Sequence, residues 1–133
     1  MTGESIERLQ QGLLAFVSSG ETNTEFLSDD FELHQASSII GTAGVFRGPG
    51  AMKQSLDELR ESFDDLTFEP EEFLLAPGGE VVVLIHTRGR GRVSGTQVDN
   101  RIGWVWTFQR DTATRLVIYE EPDEALVAVG IER

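Results

Sequence analysis

His34 and His86 are the only two histidines in the chain, and histidine is the side chain whose ordinary titration range lies nearest neutrality, so proton transfer is the first chemistry they suggest. His34 lies in Phe31-Glu-Leu-His-Gln35, an alternating strand in which it takes the phase opposite Leu33; only one of the two can point inward. His86 is followed by Arg88, Arg90 and Arg92 at strand alternation, an arrangement that either receives an anion or forms a solvated strand end with snorkelling stems. Glu120 lies in phase with Ile118 and is the third candidate for moving a proton. Two histidines half a chain apart, without an acidic third ligand, make a poor metal set, and neither a metal nor a cofactor is expected. The pairs Asp29-Asp30, Asp64-Asp65 and Glu71-Glu72 are consecutive rather than facing, as on a solvated surface. Gly48-Pro-Gly50 lacks the lysine and hydroxyl of a phosphate loop and is better suited to start a helix.

A second group is aromatic. Asn100, Ile102, Trp104, Trp106 and Phe108 share one side of a strand, and Asp99, Arg101, Gly103, Val105 and Thr107 share the other. The tryptophan side is expected to turn inward, as plain core or as a surface on which a flat or cyclic molecule stacks. Asp99 and Arg101 are expected to pair on the far side.

The chain has 133 residues and no cysteine, so disulfides, thiolate catalysis and thiolate metal sites are excluded. Its formal net charge of -12 repels phosphate backbones, which argues against a nucleic-acid partner. No apolar run approaches the ~20 residues that span a bilayer, and Met1 to Glu4 lacks the features of an export signal. A single domain over 1–133, cytoplasmic and without membrane association, is the expectation.

The elements that must position these residues follow from periodicity. Ile6, Leu9, Leu13, Phe16 and Val17 recur at helical spacing, predicting a helix over Ser5–Ser19, and Thr22 with Glu25 forms a capping box for a short helix through Leu27. Phe31–Gln35 reads as a strand and Ala36–Gly44 as a loop. Pro49 opens a helix carrying Met52, Leu56, Leu59 and Phe63 on one face, ending near Asp64-Asp65. Strands are predicted over Leu66–Ala76, Val81–Arg92, Gln97–Gln109 and Arg115–Glu121, and a closing helix over Asp123–Val129. Helices first and antiparallel strands afterwards give an α+β fold. Val81-Val-Val-Leu-Ile85 is apolar in both phases, so its second face needs a cover. A homodimer through the sheet face is expected to supply it, the other possible covers being loops or the C-terminal helix.

This order, with Phe46-Arg-Gly-Pro, Val105-Trp-Thr-Phe108 and Tyr119-Glu-Glu-Pro-Asp-Glu-Ala-Leu126 followed by Gly130, resembles the SnoaL-like branch of the nuclear transport factor 2-like superfamily. The resemblance implies a cystatin-like conical barrel, with helices packed on one face of a strongly curved, mainly antiparallel sheet around a pocket. It implies a pocket lined by Leu13, Phe46, Met52, Leu56, His86, Arg88, Asn100, Ile102, Trp104, Trp106 and Ile118. A small, mostly apolar organic ligand is expected there, with His86 and Arg88 favouring a polar or anionic substituent.

The family's enzymes supply a test by position. Where ketosteroid isomerases carry a proton-shuttling acid, a tyrosine and an oxyanion-binding acid, this chain has Gln35, Leu13 and Trp104. Where limonene epoxide hydrolases carry an aspartate, an arginine and a second aspartate, it resembles His86, Arg88 and Ile118. The isomerase groups are all absent at these positions; of the hydrolase set a positive charge survives, but the two carboxylates do not. The alternatives to a ligand carrier are a cofactor-independent isomerase, cyclase or hydrolase using His34, His86 or Glu120, and a protein-interaction module with a collapsed pocket.

Overall fold

The computed structural model describes residues 27–35, 44–48, 50, 57, 61, 63–109 and 112–131. Six strands form one mixed sheet: β1 (Leu27–Gln35), β2 (Gly44–Arg47), β3 (Phe63–Leu75), β4 (Val81–Gly91), β5 (Gln97–Gln109) and β6 (Thr112–Tyr119). Their order across the sheet is β2-β1-β6-β5-β4-β3. All neighbours are antiparallel except β1 and β6. The C-terminal helix, Pro122–Ala128, follows. The predicted helices over 5–19 and from 22 lie outside the described residues, as does most of the one from Pro49, within which Asp57 and Glu61 are helical.

Several boundaries differ from the sequence expectation, β6 for one running over Thr112–Tyr119 rather than Arg115–Glu121, and three of the differences have a clear cause. β1 begins at Leu27, where a short helix was expected to end, because Leu27 pairs with Ala113 across an irregularity that precedes the regular register from Glu32. Gly44–Arg47, read in part as loop, pairs with β1 as a short strand. β3 begins at Phe63, a residue assigned by spacing to a helix face. Asp65 takes a left-handed backbone (φ 54) within a register shift between Asp64 and Thr67, so strand alternation is broken just where it would have revealed the strand.

The sheet buries residues on both sides. On one side Phe31, Leu33, Phe68, Val81, Val83, Ile85, Ile102, Trp104, Trp106 and Leu116 form the larger core cluster. On the other, Val82 and Val105 lie beneath Ala125 and Leu126 of the C-terminal helix, with Leu74, Leu84, Tyr119, Val129 and Ile131 at the margin. The helix thus covers Val82, on the second face of the doubly apolar run Val81–Ile85, from within the chain itself.

Seven residues are too few for an isolated helix, so its ends and its packing must hold it. Pro122 occupies the first turn with Asp123 and Glu124, whose charges suit the positive end of the backbone dipole. At the other end the Ile131 amide donates to the Leu126 carbonyl (2.9 Å) and the Gly130 amide to Val127 (3.2 Å), with Gly130 left-handed at φ 78. This is a Schellman ending, and Ile131 supplies its apolar contact. Gly103 makes the docking possible: a Cβ there would come within 2.5 Å of the Ala125 Cβ.

Candidate functional site

Strand register decides which side chains meet. β4 and β5 pair as Val81↔Trp106, Val83↔Trp104, Ile85↔Ile102 and Thr87↔Asn100, so these residues share one side. β6 adds Leu116 beside Trp106 and Ile118 beside Trp104, and Phe46 packs against the same cluster from β2. Four rings run across it. Phe31 stacks on Trp106 with centroids 6.1 Å apart, Trp106 meets Trp104 edge-on at 6.4 Å, and Phe68 lies 5.9 Å from Trp104. Trp106 is 0% exposed and Trp104 2%.

This tryptophan side brings together Phe46, Asn100, Ile102, Trp104, Trp106 and Ile118 from the expected pocket. It also holds a residue that sequence reading passed over. Thr87 is 0% exposed, and its Oγ1 has no hydrogen-bond partner among the described residues. Thr87 shares its strand phase with Val81, Val83 and Ile85 and is the polar member of that row; the phase pattern was the signal that could have found it. Leu13, Met52 and Leu56 lie outside the described residues.

His86 and Arg88 belong to the opposite side. They pair with Arg101 and Asp99 in the phase of Val82 and Val105, so a pocket containing both them and the tryptophans does not form. Because Val81–Ile85 is apolar in both phases, the sequence offered no means of choosing a side for His86. The imidazole is buried, with Nε2 hydrogen-bonded to Asp99 Oδ1, and Arg88 places Nε 3.4 Å from Nε2 and Nη2 3.4 Å from Nδ1. Asp99 is held below the ordinary aspartate range, chiefly by the hydrogen bond from His86 and further by the charges of His86, Arg88 and Arg101. The expected Asp99–Arg101 pair is replaced by two others. Arg101 donates from Nε to Glu71 Oε1 at 2.9 Å, and its guanidinium is raised above its usual range, first by that bond and then by the Glu71 charge.

His34 also takes this opposite side, while Leu33 points into the core. Its Nε2 lies 2.8 Å from Glu32 Oε1, and Arg47 Nε is 3.8 Å from Oε2 of the same carboxylate. Glu32 is consequently pulled below the usual glutamate range, mainly by the His34 hydrogen bond. Arg92 is tied to Asp64 at 2.9 Å, so the alternating arginines do not converge on one anion site. Glu120 follows the end of β6 and lines a groove of about 300 Å³ with Asp99, Asn100, Arg101, Ile102, Glu121 and Pro122, at the stretch of β5 that runs beyond Tyr119.

A family model for the SnoaL-like domain matches residues 18–116. The chain belongs to the SnoaL-like domain family. Solved structures agree on the nuclear transport factor 2-like α+β cone fold. A nuclear transport factor 2-like protein of unknown function from Burkholderia pseudomallei is 17% identical, with a TM-score of 0.71 over 95% of this chain and 97% of that one. TerC, co-crystallised with polyporic acid, is 19% identical, also with a TM-score of 0.71, over 95% and 97%. A hypothetical protein of ketosteroid isomerase-like fold from Catenulispora acidiphila, in complex with trimethylamine, is 9% identical, with a TM-score of 0.66 over 90% and 92%. No curated protein matches the chain. At these identities the structural likeness establishes this SnoaL-like chain's fold and nothing of its chemistry.

Proposed function

We propose that this SnoaL-like domain binds a small, mostly apolar organic molecule against its tryptophan side. The observation that carries the reading is the separation of chemistry between the two sides. Both tryptophans of the chain and the row Ile85, Ile102 and Ile118 lie on one side, whereas both histidines lie on the other, each already bonded to a carboxylate. Stacking and apolar contact are what such a wall offers, and proton transfer by His34 or His86 would have to occur across the sheet from it. Small organic molecules in the structures of TerC and the Catenulispora protein support a binding role for the fold.

The reading is tested by native mass spectrometry of the full chain purified from its own cell extract, followed by release of whatever small molecule it retains. A retained neutral organic molecule, lost when Trp104 is replaced by alanine in a protein that still folds, is the expected result. A chain that carries nothing and whose tryptophan emission does not respond to any small apolar compound would end the proposal.

A further inference from the structure

Building on that ligand reading, we infer that Thr87 is the polar anchor of the site, and that the molecule it takes is a neutral cyclic compound bearing one hydroxyl or carbonyl group. Thr87 is fully buried at a position where valine would fit the strand and the same space without leaving a hydroxyl unsatisfied. Its cross-strand neighbours are Phe68 on β3 and Asn100 on β5, and Ile85 precedes it in phase. Asn100 is exposed on the same side as Thr87, with a Cβ separation of roughly 5 Å for directly opposed residues. The wall thus has an apolar, ring-lined body around Trp104 and Trp106 and a polar end at Thr87 and Asn100.

That layout selects a class of molecule. The β4 row from Val81 to Thr87 and the β5 row from Asn100 to Phe108 put no charged side chain on this side, so a carboxylate or ammonium lying there would lose its hydration without gaining a partner from them. A threonine hydroxyl both donates and accepts, so it suits an alcohol or a carbonyl equally. The ring portion lies along the indoles, and the single polar substituent points toward Thr87 Oγ1.

The two tryptophans are the only ones in the chain and both sit in this wall, so their emission reports on it directly. The test titrates the full chain, excited at a wavelength where the probes are transparent, with indane, 2-indanol and indane-2-carboxylate. In the wild type, 2-indanol should bind about tenfold tighter than indane, the size expected of one added buried hydrogen bond, and the carboxylate weakest. Thr87→Val should bring 2-indanol down to the affinity of indane and leave indane unchanged, while Thr87→Ser should preserve the preference. A preference for 2-indanol that survives Thr87→Val, or an equal loss for both ligands, overturns the anchor, and a carboxylate that binds as tightly as the alcohol overturns the neutral class. Should Thr87→Val fail to fold by near-ultraviolet circular dichroism, the wild-type comparison still decides, because equal affinity for indane and 2-indanol overturns the anchor. Absence of a saturable response to all three probes is a different failure: the ligand reading falls first, and the anchor with it.

Discussion

The two sides of the β4–β5 ladder are built from the same strands and hold their residues by different physics. On the tryptophan side, four aromatic rings and a row of branched aliphatics are nearly all removed from water, and their cohesion is apolar burial plus ring packing. On the opposite side, the same strands run from an apolar patch under the C-terminal helix to a field of ion pairs: Glu71–Arg101, Asp99–His86 and, further along, Asp64–Arg92. The pairs are mostly solvent-exposed and contribute little to stability. The lesson is that titratable residues close in sequence to an apolar row can lie on the other side of a single layer, one residue of phase away.

Substitutions can break this contrast, and the largest effect belongs to the tryptophan side. Trp106→Ala should cost about 3–5 kcal/mol of unfolding free energy in urea titration, as for other fully buried large aromatics; a loss below 1 kcal/mol would mean that the ring is not part of the packed wall. Gly103→Ala acts on the opposite side, where the new methyl collides with Ala125. A cost of about 1–3 kcal/mol from overpacking is expected, with loss of helical signal if the C-terminal helix lifts off. Gly130→Ala should lower stability by about 1 kcal/mol, because alanine must adopt the left-handed backbone that ends the helix. An unchanged melting temperature would show that the Schellman ending contributes nothing.

The smallest effect is electrostatic. Asp99 and Glu32 both have folded-state affinities for protons below those of the unfolded chain. Their contribution is therefore complete above the ordinary carboxylate range and is lost as the pH falls through their lowered folded values. Both carboxylates remain in contact with solvent, Asp99 more than Glu32, and are screened, so Asp99→Asn with Glu32→Gln should flatten the acid limb of the stability profile only slightly, and added salt should mimic part of the change. An acid limb that steepened instead would contradict the direction of both shifts.

The sequence made some of this legible for identifiable reasons. β5 was readable because large apolar side chains recur at every second position from Ile102 to Phe108, and the C-terminal helix because Pro122, two acids and Gly130 mark its ends. The side to which His86 and Arg88 belong was not, since β4 has five apolar residues in succession and only pairing with β5 fixes its phase. β3 hid its start behind a left-handed aspartate, and β1 behind a polar stretch, Ser28 to Asp30, that falls in the irregularity between the Leu27–Ala113 pair and the regular register from Glu32. Within the candidate site the indoles stood out by type. Thr87 did not, because a lone threonine in a strand is unremarkable until its surroundings are known to be dry.

The seam between β1 and β6 also governs how the protein is made. β3 to β6 form an uninterrupted meander, each strand beside its predecessor, whereas Leu33 must find Leu116 and Phe31 must find Trp106 across most of the chain. Such distant partners close late, because the entropy of bringing them together is spent before any contact is gained. During synthesis the first hairpin leaves the ribosome with its apolar edge unmatched and waits until the sixth strand has emerged, so the interval between those two events is when this chain is most exposed to aggregation.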